Sequence, residues 1–162
     1  MRISARLVLL SVGAFCVISF LHLVPGDAHA APLYKLSSGQ VVYVPVYSDV
    51  FSSPKKFPNK MAVMLSIRNT DMTHPISVHI ADYYDTKGKL VRKYYHTPVT
   101  VAPLESIHVY IPADDKTGGE GANFIVRWSA QAEVNVPIIE SIMLGRDLSI
   151  VSPGQEIKDH SR

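Results

Sequence analysis

Apolar residues follow two different patterns along this chain. From Leu7 to Val24 they run almost unbroken, with only Ser11, Ser19 and His22 as polar interruptions. From Val41 onward they come in short runs that alternate with polar residues, divided by Pro, Gly, Asn and Asp. A period of two marks strands that turn one face to a core. Met61, Val63, Leu65 and Ile67 alternate with Ala62, Met64, Ser66 and Arg68, which predicts a strand with one buried face. Phe124, Val126 and Trp128 do the same in a strong strand over 123–129, with Trp128 expected in the core. Further strands are predicted at 41–47, 99–101, 106–111 and 138–144, with a short one at 148–151. Pro45 cannot donate a ladder hydrogen bond, so its strand is expected at an edge or at a switch between sheets. No helical periodicity appears in this part of the chain.

The clearest pair is a hairpin of 76–84 with 89–96. Asp85-Thr86-Lys87-Gly88 has the chemistry of a type I turn followed by a left-handed glycine. That turn sets Asp85 opposite Lys89. Continued without interruption, the register pairs Asp82 with Arg92 as an ion pair, His79 with Tyr95, and Ile80 with Tyr94. Seven or eight strands with no helices to cover them predict two antiparallel sheets packed face to face. The expected fold is all-β, an immunoglobulin-like antiparallel β-sandwich after an N-terminal signal helix. A closed barrel is the second choice.

The unbroken run changes the compartment. Arg2 and Arg6 precede it, Pro25-Gly26 breaks it, and Ala28-His29-Ala30 supplies a small-x-small cleavage site. The expected organisation is a signal peptide over 1–30, a linker over 31–39, the sandwich over 40–152 and a flexible tail over 153–162. A run of this length is near the minimum that spans a bilayer, so retention as an uncleaved anchor is the rival. The expected location is periplasmic or secreted. The single cysteine, Cys16, falls in the leader. The exported domain therefore has no disulfide and must fold on its core alone.

Charge excludes some partners. Lys and Arg number 16 against 14 Asp and Glu, a net of +2, and no long run of one sign occurs. Nucleic acid is not an expected partner, and a membrane is expected only through the anchor.

Four segments, taken in order, resemble one family. They are Tyr43-Val44-Pro45-Val46-Tyr47, Leu65-Ser66-Ile67-Arg68-Asn69-Thr70-Asp71, Asp82-Tyr83-Tyr84-Asp85 with Gly88-Lys89-Leu90-Val91, and Gly118-Gly119-Glu120-Gly121-Ala122-Asn123-Phe124-Ile125-Val126. Together they are similar to an uncharacterised bacterial family of exported proteins, domain of unknown function 3124, over Gln40 to Ile157. The resemblance implies export and a single domain, and it carries no site residues. The second and third segments also resemble the middle strands of immunoglobulin-like adhesion modules, an analogy of fold only.

Candidate chemistry is sparse. The glycine-rich connection at 114–120 holds Asp114, Asp115 and Glu120 around Gly118 and Gly119. Such carboxylates can take calcium, although no EF-hand spacing is present, exposed glycine N–H groups can instead hold an anion, and the bland alternative is a mobile solvated loop. His74, His79, His96, His108 and His160 show no zinc spacing. Tyr83, Tyr84, Tyr94 and Tyr95 share the hairpin, and each adjacent pair sends one ring to each face. Two exposed rings beside Arg92 and Lys93 suit protein or carbohydrate contact, whereas cross-strand packing is the structural alternative. Ser52-Ser53-Pro54-Lys55 and Lys116-Thr117-Gly118 match penicillin-interacting motifs by chance, since the Ser-Asp-Asn element is missing. No catalytic set and no metal ligand set emerges. The expectation is a non-catalytic binding or interaction module for an envelope or cell-surface protein, with no cofactor. The alternative is a small metal-dependent hydrolase using Asp114, Asp115 and Glu120.

Overall fold

A computed structural model describes residues 35–51 and 58–158. The expected leader, its cleavage site and the end of the expected tail lie outside the described residues. So do Ser52, Ser53, Pro54 and Lys55 of the chance motif, and His160.

The described chain is all-β, with twelve strands. In order they are β1 (Leu36–Val46), β2 (Asp49–Phe51), β3 (Pro58–Lys60), β4 (Ala62–Arg68), β5 (Ile76–Tyr84) and β6 (Leu90–Lys93). Then come β7 (Val99–Val101), β8 (Ser106–Ile111), β9 (Ala122–Asn135), β10 (Ile138–Leu144), β11 (Ser149–Pro153) and β12 (Gln155–Ile157). One sheet of six strands runs β12-β1-β9-β5-β6, with β7 also paired to β5. The second has four strands, β11-β10-β4-β8, and β2 and β3 pair with each other. Every pair is antiparallel. The strand count exceeds seven or eight because very short pieces such as β2, β3 and β12 carry no alternation of their own.

The inner faces of the two sheets form one core. Val42, Val44, Val46, Phe124, Val126 and Trp128 come from the six-stranded sheet, and Val63, Leu65, Ile67 and Met143 from the four-stranded one. Each large side chain buried in this way stabilises the fold by about 1.5–3 kcal/mol. No cross-link is needed where period-two alternation supplies so continuous an apolar layer.

Three expectations about the strands are corrected. First, β1 begins at Leu36, inside the expected linker, and lies between β9 and β12 rather than at an edge. Pro45 falls beyond the last β12 pair, Tyr43 with Gln155, where a missing N–H disrupts no β12 rung. The Ser141 hydroxyl, on β10 of the other sheet, donates to the Pro45 carbonyl. Second, the expected tail supplies β12. The chain crosses from the four-stranded sheet to the six-stranded one at Gly154, whose N–H donates to the Ile139 carbonyl at 2.8 Å. Third, the hairpin register slips. The turn forms as expected: Asp85 N–H donates to the Lys89 carbonyl at 2.9 Å, and Gly88 adopts φ 75. Tyr84 then opposes Leu90, but Tyr83 opposes Arg92 and Asp82 opposes Lys93. Val91 is the extra residue, so the Asp82–Arg92 pair is replaced and Ala81, not Ile80, accepts from the Tyr94 N–H. One bulged residue moves every later side chain to the other face.

Candidate functional site

The two groups of residues singled out in the sequence meet at one end of the sandwich. Tyr83 is buried in the core, its ring 5.0 Å from that of Phe124. Tyr94 packs on the same Phe124 ring at 5.8 Å. Tyr94 and Tyr95 are half-buried against the core, and Tyr84 is half-buried on the strand face opposite Tyr83. Burial pushes the Tyr83 phenol up, against the lowering effect of its hydrogen bond to Ser48.

The glycine-rich connection is clamped onto this hairpin and is not a free loop. Thr86 donates from its N–H to the Gly118 carbonyl at 2.9 Å, and Gly119 accepts from the Ser48 N–H at 3.1 Å. The Thr86 hydroxyl also donates to the Gly118 carbonyl and accepts from the Gly121 N–H, each at 3.0 Å. Arg92 reaches across to Asp115 at 3.5 Å and to the Tyr94 hydroxyl at 3.2 Å, with its guanidinium over the Tyr94 ring. Partial burial opposes ionisation of Asp115. The Thr117 hydroxyl and N–H, with Arg92, outweigh it and hold the carboxyl below the usual range. Asp114 and Glu120 are exposed.

A pocket of about 210 Å³ beside this clamp is lined by Ser48, Asp49, Lys60, Asp115, Lys116 and Gly119. It is smaller than the roughly 300–1,000 Å³ usual for a small-molecule site. Its two lysines balance its two carboxylates. Among the described residues no group of three or more His, Cys, Asp or Glu is placed to hold a metal ion. Much of the polar chemistry of this end is internal, through Thr86, Arg92, Asp115 and Thr117, although the buried Asp49 Oδ1 has no hydrogen-bond partner among the described residues.

A second polar cluster explains Asn69-Thr70-Asp71. The Asn69 amide donates to the carbonyls of His74, Val101 and Ala102. Asp71 is buried and accepts from the N–H groups of Thr73 and His74, both at 2.9 Å, and of Asn135 at 3.1 Å. These backbone bonds hold its carboxyl far below the usual carboxylate range. The cluster ties the β4–β5 connection to the β7–β8 turn and the end of β9. His74 sits on Asp71, so it belongs to this clamp. His79 and His108 lie in different sheets.

One surface feature escaped the sequence reading. The outer face of the four-stranded sheet carries an apolar row across all four strands. Tyr110 on β8 opposes Met64 on β4, Met64 opposes Ile142 on β10, and Ile142 opposes Val151 on β11. Tyr110 is 59% exposed, Val151 58%, and Leu144, in the next row, 57%. The signal was present as Met64, Tyr110, Ile142 and Val151, each on the non-core phase of its strand. Alignment into one row needed the register.

A family model described as a protein of unknown function, DUF3124, matches residues 39–157. No curated protein and no solved structure matches the chain. The likeness to immunoglobulin-like modules rests on sequence segments alone.

Proposed function

The chain belongs to the DUF3124 family of proteins of unknown function, and on that footing we propose that it is an exported, non-catalytic interaction module. Its partner is an envelope or cell-surface protein. The observation that carries this reading is the apolar row Tyr110–Met64–Ile142–Val151 across the outer face of the four-stranded sheet.

Outer sheet faces that meet only water alternate to polar residues. This one does not, and contiguous exposed apolar surface marks an interaction site. The flank of the row carries little net charge: Arg68 approaches Glu140 at 3.9 Å, and Ser66 opposes His108. A flat apolar protein surface fits that face, whereas a polyanion does not. Tyr110 supplies a rigid aromatic anchor of the kind that dominates protein interfaces. The tyrosine hairpin is a poorer docking surface, because Tyr83 and Tyr94 are committed to Phe124.

Tyr110→Asp and Val151→Asp test the reading. Both side chains are exposed, so each substitution is expected to move folding stability by no more than about 0.5 kcal/mol. Each is expected to remove partner binding. Tyr84→Ala is the comparison and is expected to leave binding intact. Binding that survives both aspartates would overturn the proposal.

A further inference from the structure

The opposite outer face, on the six-stranded sheet, holds a groove of about 800 Å³ over β12, β1, β9 and β5. Two irregularities in strand pairing converge on it. Between β1 and β9 the register jumps from Ser37 opposite Val134 to Gly39 opposite Ser129, leaving 130–133 of β9 unopposed. Between β5 and β9 it jumps from Val78 opposite Trp128 to Ile80 opposite Arg127, which makes His79 the extra residue. Bulges re-aim side chains and are enriched next to functional sites. Here they bring the His79 Nε2 to 2.7 Å from the Ser129 Oγ at the groove wall.

Gly39 lets β1 approach the β9 backbone closely at that point. A Cβ on Gly39 would stand 2.9 Å from the Trp128 carbonyl oxygen and 3.5 Å from the Ser129 Cβ. The charges in the lining are Arg127, Lys158 and Glu156, and Glu156 is ion-paired with Lys35. Apart from Glu156, each polar side chain of the lining (Ser38, Gln40, His79, Arg127, Ser129 and Lys158) is able to donate a hydrogen bond.

We propose that this groove binds a small ligand through an oxyanion, a carboxylate or a phosphate monoester, held by Ser129 and His79 with Lys158 supplying the charge. When the His79 Nε2–H donates to Ser129 Oγ, the serine proton is free to donate to the anion. Binding therefore selects that tautomer. Hydrogen bonds to a charged group are about twice as strong as neutral ones, so each donor contributes measurably. The site is independent of the apolar face on the other sheet.

The test is a titration of the isotope-labelled full chain, followed by amide chemical shifts, with inorganic phosphate, acetate and methyl glucoside as probes. Phosphate or acetate is expected to shift the amides of Gly39, His79 and Ser129 saturably. Phosphate alone identifies the phosphate class and acetate alone the carboxylate class, while both together establish the shared oxyanion chemistry. Ser129→Ala is expected to weaken binding about tenfold. Lys158→Ala, at an exposed position, is expected to weaken it by a smaller factor without touching the fold. Anions that shift none of these amides would overturn the proposal. So would a neutral glucoside that shifts them equally, or binding unaltered in both variants.

Discussion

The hydroxyl of Tyr83 occupies the space that the first side-chain atom of any other residue at Gly118 would need: a Cβ there would lie 1.8 Å from that oxygen. The same hydroxyl bonds Ser48 Oγ at 2.9 Å. One buried phenol thus fixes both the glycine-rich connection and the start of the β2 segment. Gly118→Ala is expected to destabilise the protein by about 1–3 kcal/mol through overpacking. Tyr83→Phe is expected to cost about 1–3 kcal/mol by stranding the Ser48 hydroxyl. The double variant should be less destabilised than the sum, because removing the phenol oxygen removes the closest clash. Chemical denaturation of the four proteins checks this, and strict additivity would contradict it.

Asp71 predicts a defined acid sensitivity. Its folded carboxyl is held far below the ordinary value by the N–H groups of Thr73, His74 and Asn135. A depressed folded value means that the unfolded chain takes up the proton first. The stabilisation is complete well above the unfolded value of about 3.9 and is lost as pH falls below it. Asp71→Asn should therefore be markedly less stable than the parent at pH 7, with the gap closing only as pH falls below the ordinary aspartate value toward the depressed folded one. Urea midpoints of both proteins across that range provide the measurement. A gap independent of pH would contradict the assignment.

Gly154 closes one side of the sandwich. A Cβ there would stand 2.6 Å from Val42 Cγ1 and 2.7 Å from the Ile139 carbonyl oxygen. Both neighbours belong to the core or to strand backbone, so neither yields easily. Gly154→Ala is expected to cost about 1–3 kcal/mol and to loosen β12 from β1. Hydrogen exchange reads this directly: the β1–β12 pairs Val41 with Ile157 and Tyr43 with Gln155 should lose protection, while the β4–β10 pairs keep theirs. Uniform loss across both sheets would argue against a local corner.

These particular residues show what could be read without coordinates. Strand β10 falls at 138–144, as its apolar run predicts, and the Asp85–Gly88 turn forms as its composition demands. The hairpin register failed two residues beyond the turn, since a bulge at Val91 leaves no mark on composition. β12 was unreadable because Gln155, Glu156 and Ile157 are exposed: they are held by the backbone of β1 rather than by burial of their own side chains. Asn69 and Asp71 follow the end of β4, and their links to Val101, Ala102 and Asn135 on other elements had no mark in the sequence. Tyr110 and Val151 were legible only as apolar residues on the non-core phase of their strands. Only pairing through Met64 and Ile142 makes them a surface. The His79–Ser129 contact depends on two bulges and was equally hidden.

The most direct test of the interaction reading places a photo-crosslinking amino acid at Tyr110 in the full chain and irradiates cells that produce it. A second version with the same group at Lys87, on the hairpin turn, serves as control. The account predicts an adduct with a different envelope or cell-surface protein from position 110, none from position 87, and loss of the adduct when Val151→Asp is added. No adduct from position 110, an adduct only with a second copy of the chain, or one indifferent to Val151→Asp would contradict it.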